Sequence, residues 1–304
     1  RQTQCTGYLK QIGLGIQNFH DIRQEITPSY LTADNSPSAV PTDHATWPIL
    51  LLPFMEQREI YDLVDLSEPL SSDKAALPAN HAAARASSIP TYFCHARRTF
   101  SHLTVNNECV VGDYANISRA DLGPNVIPSQ PRTWDAAMLA SQSFNVSPVT
   151  TSIPDGGVLK PGEFRAVTKF ADILDGLSNT AFISEKAVHQ SRLGGDKTNF
   201  ANTVKAGQQD GTFYYGSGGN PADLIEPGEM AYWSRRLAPA LATDRLLPIK
   251  PSREDPRNRF GGWHPGVTLF VLGDGSVRAV NNAASSVALQ RFGCRNDREE
   301  FDLP

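Results

Sequence analysis

The sequence lacks a Cys-x-x-Cys pair, a tract of like charge, a heptad run and any internal repeat. It also lacks the local signatures of several enzyme classes. There is no G-x-S-x-G frame around Ser217, so no nucleophile elbow. Gly13-Leu14-Gly15 and Gly273-Asp274-Gly275 want the third glycine of a dinucleotide fingerprint, and neither a phosphate loop nor H-E-x-x-H is present. The longest apolar run, 47–55, is far shorter than the ~20 residues that cross a bilayer, and no signal peptide is visible. Nor is there a basic excess. A net charge of -4 argues against a nucleic-acid partner, because phosphate binding needs a basic footprint. The short basic pairs Arg97-Arg98 and Arg235-Arg236, and Arg253 with Arg257 and Arg259, read as solvated surface.

What remains is a chain of 304 residues, enough to bury a substantial core, with 22 prolines and 23 glycines that point to long irregular connections. Residues 1–26 read as a helix: Leu9, Ile12, Ile16 and Phe19 recur at 3-4-3 spacing, and Ile22 and Ile26 extend the stripe. Gly13 and Gly15 each weaken that helix by about 1 kcal/mol relative to alanine, so it depends on packing; Pro28 ends it. Further helices are expected over 54–66 and 75–87, and short strands over 89–94, 108–114 and 180–184. The strongest hairpin signal is the run from Val267 to Leu272, an Asp274-Gly275 pair, and a return through Val277, Ala279 and Val280. Segments 120–165 and 194–258 read as loop-rich excursions, and 285–292 as a short closing segment.

Four groups of residues carry candidate chemistry. Cys94, His95, His102 and Cys109 form the sole Cys/His cluster along the sequence, but structural zinc sites bring ligands in tight pairs, and this spacing does not fit. A Cys94–Cys109 disulfide would contribute on the order of 3 kcal/mol in an oxidising compartment. With Cys5 and Cys294 the four cysteines allow three connectivities, and four free thiols are the alternative. Asp172, Asp175 and Glu185 offer hard oxygens to calcium, although Asp175, Ser178 and Asn179 suit turn and capping roles better and no calcium-loop pattern is present. His264 and Asp274 fall near opposite ends of an extended strand about 20 Å long, so they are expected to act separately: Asp274 turns the chain, and His264 packs near Trp263.

Several of these stretches, in order, resemble one family. Cys5 with 8–21 (Tyr-Leu-Lys-Gln-Ile-Gly-Leu-Gly-Ile-Gln-Asn-Phe-His-Asp) is similar to the C-x-N-N-L-K-Q-I-G-L-A-x-H-N-Y-H-D opening of bacterial prepilin-like proteins of unknown function, the DUF1559-type proteins. Residues 51–57 look like that family's L-L-P-Y-L-E-Q, Phe93-Cys94 its F-L-C-P-S-D, and 170–180 with Glu185 its F-A-D-I-T-D-G-T-S-N-T…E. His264, nine residues, then Asp274-Gly275 resembles its H-x9-DG signature. Two departures stand out. Gly7-Tyr8 replaces the paired asparagines, and His95-Ala96-Arg97 follows Cys94 in place of Pro-Ser-Asp.

The resemblance implies an α+β, pilin-like fold: one domain over 1–304 in which the helix of 1–26 packs on an antiparallel sheet, with insertions at 120–165 and 194–258 and a hairpin region at 260–294. It implies a leader and hydrophobic helix upstream of Arg1, and an extracytoplasmic, membrane-anchored subunit of a type IV pilus or type II secretion-like system. Partners would be other pilin-like subunits and the membrane through that upstream helix. It makes His264, Asp274, Gly275, Asp175, Gly176, Ser178 and Asn179 signature residues of the fold, with no catalytic residue and no cofactor beyond a candidate calcium ion. A surface module that binds a carbohydrate or protein ligand through the two insertions is the alternative; a secreted hydrolase is a third reading.

Overall fold

The stripe of Leu9, Ile12, Ile16 and Phe19 is buried along α1 (Gln2–Arg23), together with Cys5, Gly13 and Gly15. The helix stops earlier than expected, at Gln24, which turns left-handed (φ 57°) and donates its amide to His20 O at 2.7 Å. Ile26 is buried, but beyond the helix, with its amide on Thr168 O. Ile22, expected to extend the stripe, is instead 75% exposed. At 3.6 residues per turn it lies about 100° around the helix from the stripe's centre.

The structure is a computed structural model that describes residues 1–32, 44–68, 70, 79–98, 110–119, 135–143, 151–152, 158–159, 162–188, 193, 210, 234–237 and 259–303. After α1 come β1 (Tyr30–Thr32), α2 (Trp47–Leu51), α3 (Arg58–Tyr61), α4 (Ala79–Ala86), β2 (Tyr114–Arg119), β3 (Ala140–Ser143), β4 (Thr151–Ser152), β5 (Val158–Leu159), β6 (Ala181–Glu185), β7 (Ser234–Arg236), β8 (Val267–Leu272), β9 (Val277–Asn281) and α5 (Ser286–Gly293). The helix expected over 54–66 is reduced to α3. The apolar run before it forms α2, with Pro48 in the first turn, where a missing amide costs nothing. The strand expected over 89–94 is a 3-10 turn, Pro90–Tyr92, because proline sets the helical φ and cannot donate to a ladder. The closing segment is helical, capped by Ser285 Oγ on the Ala288 amide at 3.2 Å. Among the described residues no helix is long and apolar enough to cross a membrane.

The main sheet runs β7-β2-β6-β8-β9, antiparallel from β2 to β9, with β7 added in parallel at one edge. Most of the excursion at 194–258 lies outside the described residues, but through β7 it returns to the sheet. From the excursion at 120–165, β3 pairs in parallel with β1, and β4 and β5 pair antiparallel with each other. The expected β8–β9 hairpin forms, with Val271 opposite Val277. Its turn differs from a two-residue primed turn. Gly275 alone takes positive φ (81°), Leu272 O accepts from its amide at 2.9 Å, and Asp274 Oδ1 accepts from Ser276 N at 2.9 Å. This is the three-residue loop in which a left-handed glycine follows a type I turn.

Both faces of β8 are covered. Leu269 and Val271 join the core with Leu9, Ile12, Ile16 and Phe19 of α1, whereas Phe270 and Leu272 join Phe292 and Leu289 of α5 on the other side. That is why Leu269 to Leu272 read as an unbroken apolar run rather than as an alternation. The contact with α1 is closest where two glycines meet: a Cβ placed on Gly13 would lie 2.8 Å from Gly275 O. Gln17 Nε2 donates to Gly273 O across the same seam. The result is a mixed α+β body with its N-terminal helix lying on an antiparallel hairpin.

A candidate metal centre at the helix–sheet junction

Near the start of α1, the buried stripe presents Cys5 to three other elements. Cys94 follows the Pro90–Tyr92 turn, Glu185 is the last residue of β6, and His264 sits in the loop before β8, bridged to Val267. All four are buried, none more than 1% exposed. One donor atom from each lies within 4.8 Å of the other three. Cys5 Sγ is 2.7 Å from Cys94 Sγ, His264 Nε2 is 3.0 Å from Glu185 Oε1, and Cys94 Sγ is 3.5 Å from His264 Nε2.

Local structure holds each group. The Cys94 amide donates to Asp113 Oδ2 at 2.8 Å, while the Cys94 carbonyl accepts from the amides of Arg97 and Arg98. Glu185 Oε2 accepts from Leu269 N at 3.1 Å. Glu185 Oε1 has no hydrogen-bond partner: His264 Nε2 is near it, but the two are not aligned to bond. The loop carrying His264 is tied by Gly262 N to Thr268 Oγ1 at 3.1 Å, and Thr268 Oγ1 in turn to Asn282 Oδ1 at 2.7 Å. Gly262 must be glycine here, because a Cβ would overlap Glu185 Oε2.

The electrostatics of the sulfurs follow from this crowding. The hydrogen bond from Cys94 pulls the Cys5 thiol down to about 5 against the opposing effect of burial, and His264 adds to the pull. Cys94 moves the other way, held as a thiol by that hydrogen bond and by burial. The two sulfurs therefore share one proton, with Cys5 as the thiolate. Burial works against a charge on His264, yet its contacts with Cys5 and Glu185 prevail and raise it to about 9. Tyr114, opposite Glu185 in the β2–β6 register, has a buried hydroxyl with no partner, and burial raises its pKa.

Against this cluster lies a buried ion network. Arg97 Nη1 is 2.7 Å from Asp113 Oδ1, Arg98 Nε donates to Asp113 Oδ2 at 2.9 Å, and Arg98 also grips both oxygens of Asp210. Lys186 Nζ lies 3.9 Å from Asp210 Oδ1. Arg97 and Arg98, read from the sequence as solvated surface, are thus core residues: their side chains are at most 1% exposed. The charges survive burial because each guanidinium faces a carboxylate.

The remaining expected site residues separate. Cys94, expected opposite Cys109, has its sulfur against Cys5; Cys109 and His102 lie outside the described residues. His95 stacks on Phe93 and faces Tyr8 instead of joining Cys94. Cys294 is a free, buried thiol, pushed up to about 12 by burial, and its sulfur donates to Asn296 Oδ1 at 3.6 Å. The calcium set is not assembled. Asp172 Oδ2 caps Lys169 N, Asp175 accepts from the amides of Asp297 and Arg298, and Glu185 turns into the cysteine cluster. Gly176 takes φ 89° and Asn179 Nδ2 donates to Asp175 O at 3.2 Å, so this stretch, Ser178 included, is a turn. Asp274 is exposed at the hairpin tip, away from His264, and the two have separate roles.

Sequence reasoning therefore named Cys5, Cys94, Glu185 and His264 but assigned them to three different roles. The signal that links them is that each falls in a different stretch of the resemblance. No curated protein and no solved structure matches the chain. The model of one family, proteins of unknown function DUF1559 (SBP_bac_10), matches residues 1–285, and with nearly the whole sequence covered the chain belongs to that family.

Proposed function

We propose that this protein is an extracytoplasmic, non-enzymatic structural subunit of pilin or pseudopilin type, belonging to a type IV pilus or type II secretion-like system. The observation that carries the reading is the seam between α1 and the β8–β9 hairpin. A 22-residue helix lies along an antiparallel sheet, pinned by the Gly13–Gly275 approach and by Gln17 on Gly273 O. Such a helix can continue in the N-terminal direction as a hydrophobic anchor while the sheet and its insertions form the displayed body. The face of α1 turned away from the sheet carries Leu14 and Ile22, 58% and 75% exposed, apolar side chains that neighbouring subunits of a filament would cover.

The test is expression of the full-length gene product with and without a prepilin leader peptidase. Cleavage just before a hydrophobic helix, followed by recovery of the protein in sheared filaments or a secretion-system pseudopilus, is the expected result. An N-terminus left unprocessed in the presence of the peptidase overturns the reading.

A further inference from the structure

We propose that Cys5, Cys94, Glu185 and His264 form a structural zinc site that clips α1 to the sheet. Four donors of the types zinc takes converge from four separate elements, each sealed from solvent. A tetrahedral zinc ion with bonds of about 2.0–2.3 Å holds its ligand atoms about 3.3–3.8 Å apart. The donor separations here, from 2.7 Å between the sulfurs to no more than 4.8 Å overall, bracket that range. Two thiolates exclude calcium and magnesium, which take oxygen ligands.

The decisive atom is Glu185 Oε1. It is buried and lacks a hydrogen-bond partner, and a buried carboxylate oxygen without one is costly. His264 Nε2 lies 3.0 Å away without being aligned to bond to it, so carboxylate and imidazole aim at common ground, as two ligands of one ion do. A Cys5–Cys94 disulfide would account for the close sulfurs and leave Glu185 and His264 as a buried ion pair at 3.0 Å, with Glu185 Oε1 still short of a hydrogen bond. Metal ligation accounts for all four.

The surroundings fit a closed site. Asp113 fixes the backbone of Cys94, Leu269 N holds the second oxygen of Glu185, and Gly262 keeps space for that carboxylate. With four protein donors and no exposed position, the ion would have no room for substrate, which marks a structural rather than a catalytic role. Binding requires both sulfurs and the imidazole nitrogen free of protons and links helix, turn, strand and loop in one step.

The experiment uses the untagged full chain, purified without chelator. Elemental analysis is expected to find about one zinc per chain. Cys5 and Cys94, identified by peptide mapping, should resist a thiol reagent until zinc is stripped. Cobalt in place of zinc should give tetrahedral d–d bands and thiolate-to-cobalt charge transfer. Glu185→Gln should lower zinc affinity by at least about tenfold; should that variant not fold, the cobalt spectrum of the unsubstituted protein decides. Metal-free protein lighter by two hydrogens, with Cys5 joined to Cys94, overturns the proposal in favour of a disulfide. Metal-free protein with free thiols and no charge-transfer band also overturns it. The assay does not depend on leader processing or assembly, so it can fail without touching the proposed function, and the reverse holds as well.

Discussion

Asp113 and Glu185 are both buried carboxylates, on adjoining elements, and they are served in opposite ways. Both oxygens of Asp113 are occupied, one by Arg97 and Arg98 and the other by Arg98 and the Cys94 amide. Burial opposes its charge, yet Arg98 and Arg97 hold its pKa well below the usual carboxylate range. Glu185 has one oxygen on Leu269 N, whereas the other lies 3.0 Å from His264 Nε2 without a hydrogen bond. The first arrangement is complete and explains itself as architecture. The second lacks one hydrogen bond within the protein, and the proposed zinc ion would complete it. In a folded core, the carboxylate that lacks a partner is thus the informative one.

The largest expected effect tests the saturated side. Asp113→Asn leaves Arg97 and Arg98 buried with a weakened counter-charge, and should cost about 3–5 kcal/mol in denaturant unfolding whether or not zinc is present. A small, zinc-dependent loss would erase the contrast between the two carboxylates. Next comes Gly262→Ala, whose methyl group would push into Glu185 Oε2. Overpacking of that kind costs about 1–3 kcal/mol, and the loss should be accompanied by weaker zinc retention; an unchanged melting temperature would mean that Glu185 is not held where it is described.

A third carboxylate sets the scale for exposure. Asp274→Ala removes only the bond to Ser276 N at the hairpin tip, and a loss of about 1 kcal/mol is expected, with any activity or assembly affected only through folding. A stable mutant that selectively fails to assemble would show that Asp274 does more than turn the chain.

The smallest effect contrasts two imidazoles. His264 is raised by charged neighbours, whereas His20 is lowered by burial, stacked on Phe170 with its Nε2 accepting from the Phe170 amide at 3.4 Å. A folded pKa below the unfolded value of about 6.5 means the folded state disfavours the proton. The contribution of His20 is therefore present above that pH and lost as pH falls through the folded value. Midpoints of unfolding measured from pH 8 to pH 5 should fall slightly more for the unsubstituted protein than for His20→Gln. Equal slopes would show that His20 does not titrate differently on folding.

Much of the architecture was legible because it rests on local periodicity. Leu9, Ile12, Ile16 and Phe19 report a helix face directly, and Val267 to Leu272 with the Asp274-Gly275 pair reports a hairpin. Errors fell where proline or turn chemistry intervened. Pro48 starts a helix, Pro90 replaces a strand with a 3-10 turn, and Ile22 rotates off the buried face. The site was less legible. Tight ligand pairs are the sequence sign of structural zinc, and here each ligand comes alone from a distant segment. Arg97-Arg98 misled for a related reason: a charge pair looks solvated until its counter-ions, Asp113 and Asp210, arrive from elsewhere in the chain.

The sequence by itself determined the α+β class, the N-terminal helix, the hairpin and the family, since these depend on residues near one another or on motifs in order. Tertiary structure alone decided that Cys5 faces Cys94, that Glu185 leaves the acidic turn to join them, and that His264 completes the set. The reason is physical. Helix α1 can reach the turn after Pro90–Tyr92, the end of β6 and the loop before β8 only when its apolar stripe is seated on β8, and that seating is a property of the packed core rather than of any local spacing.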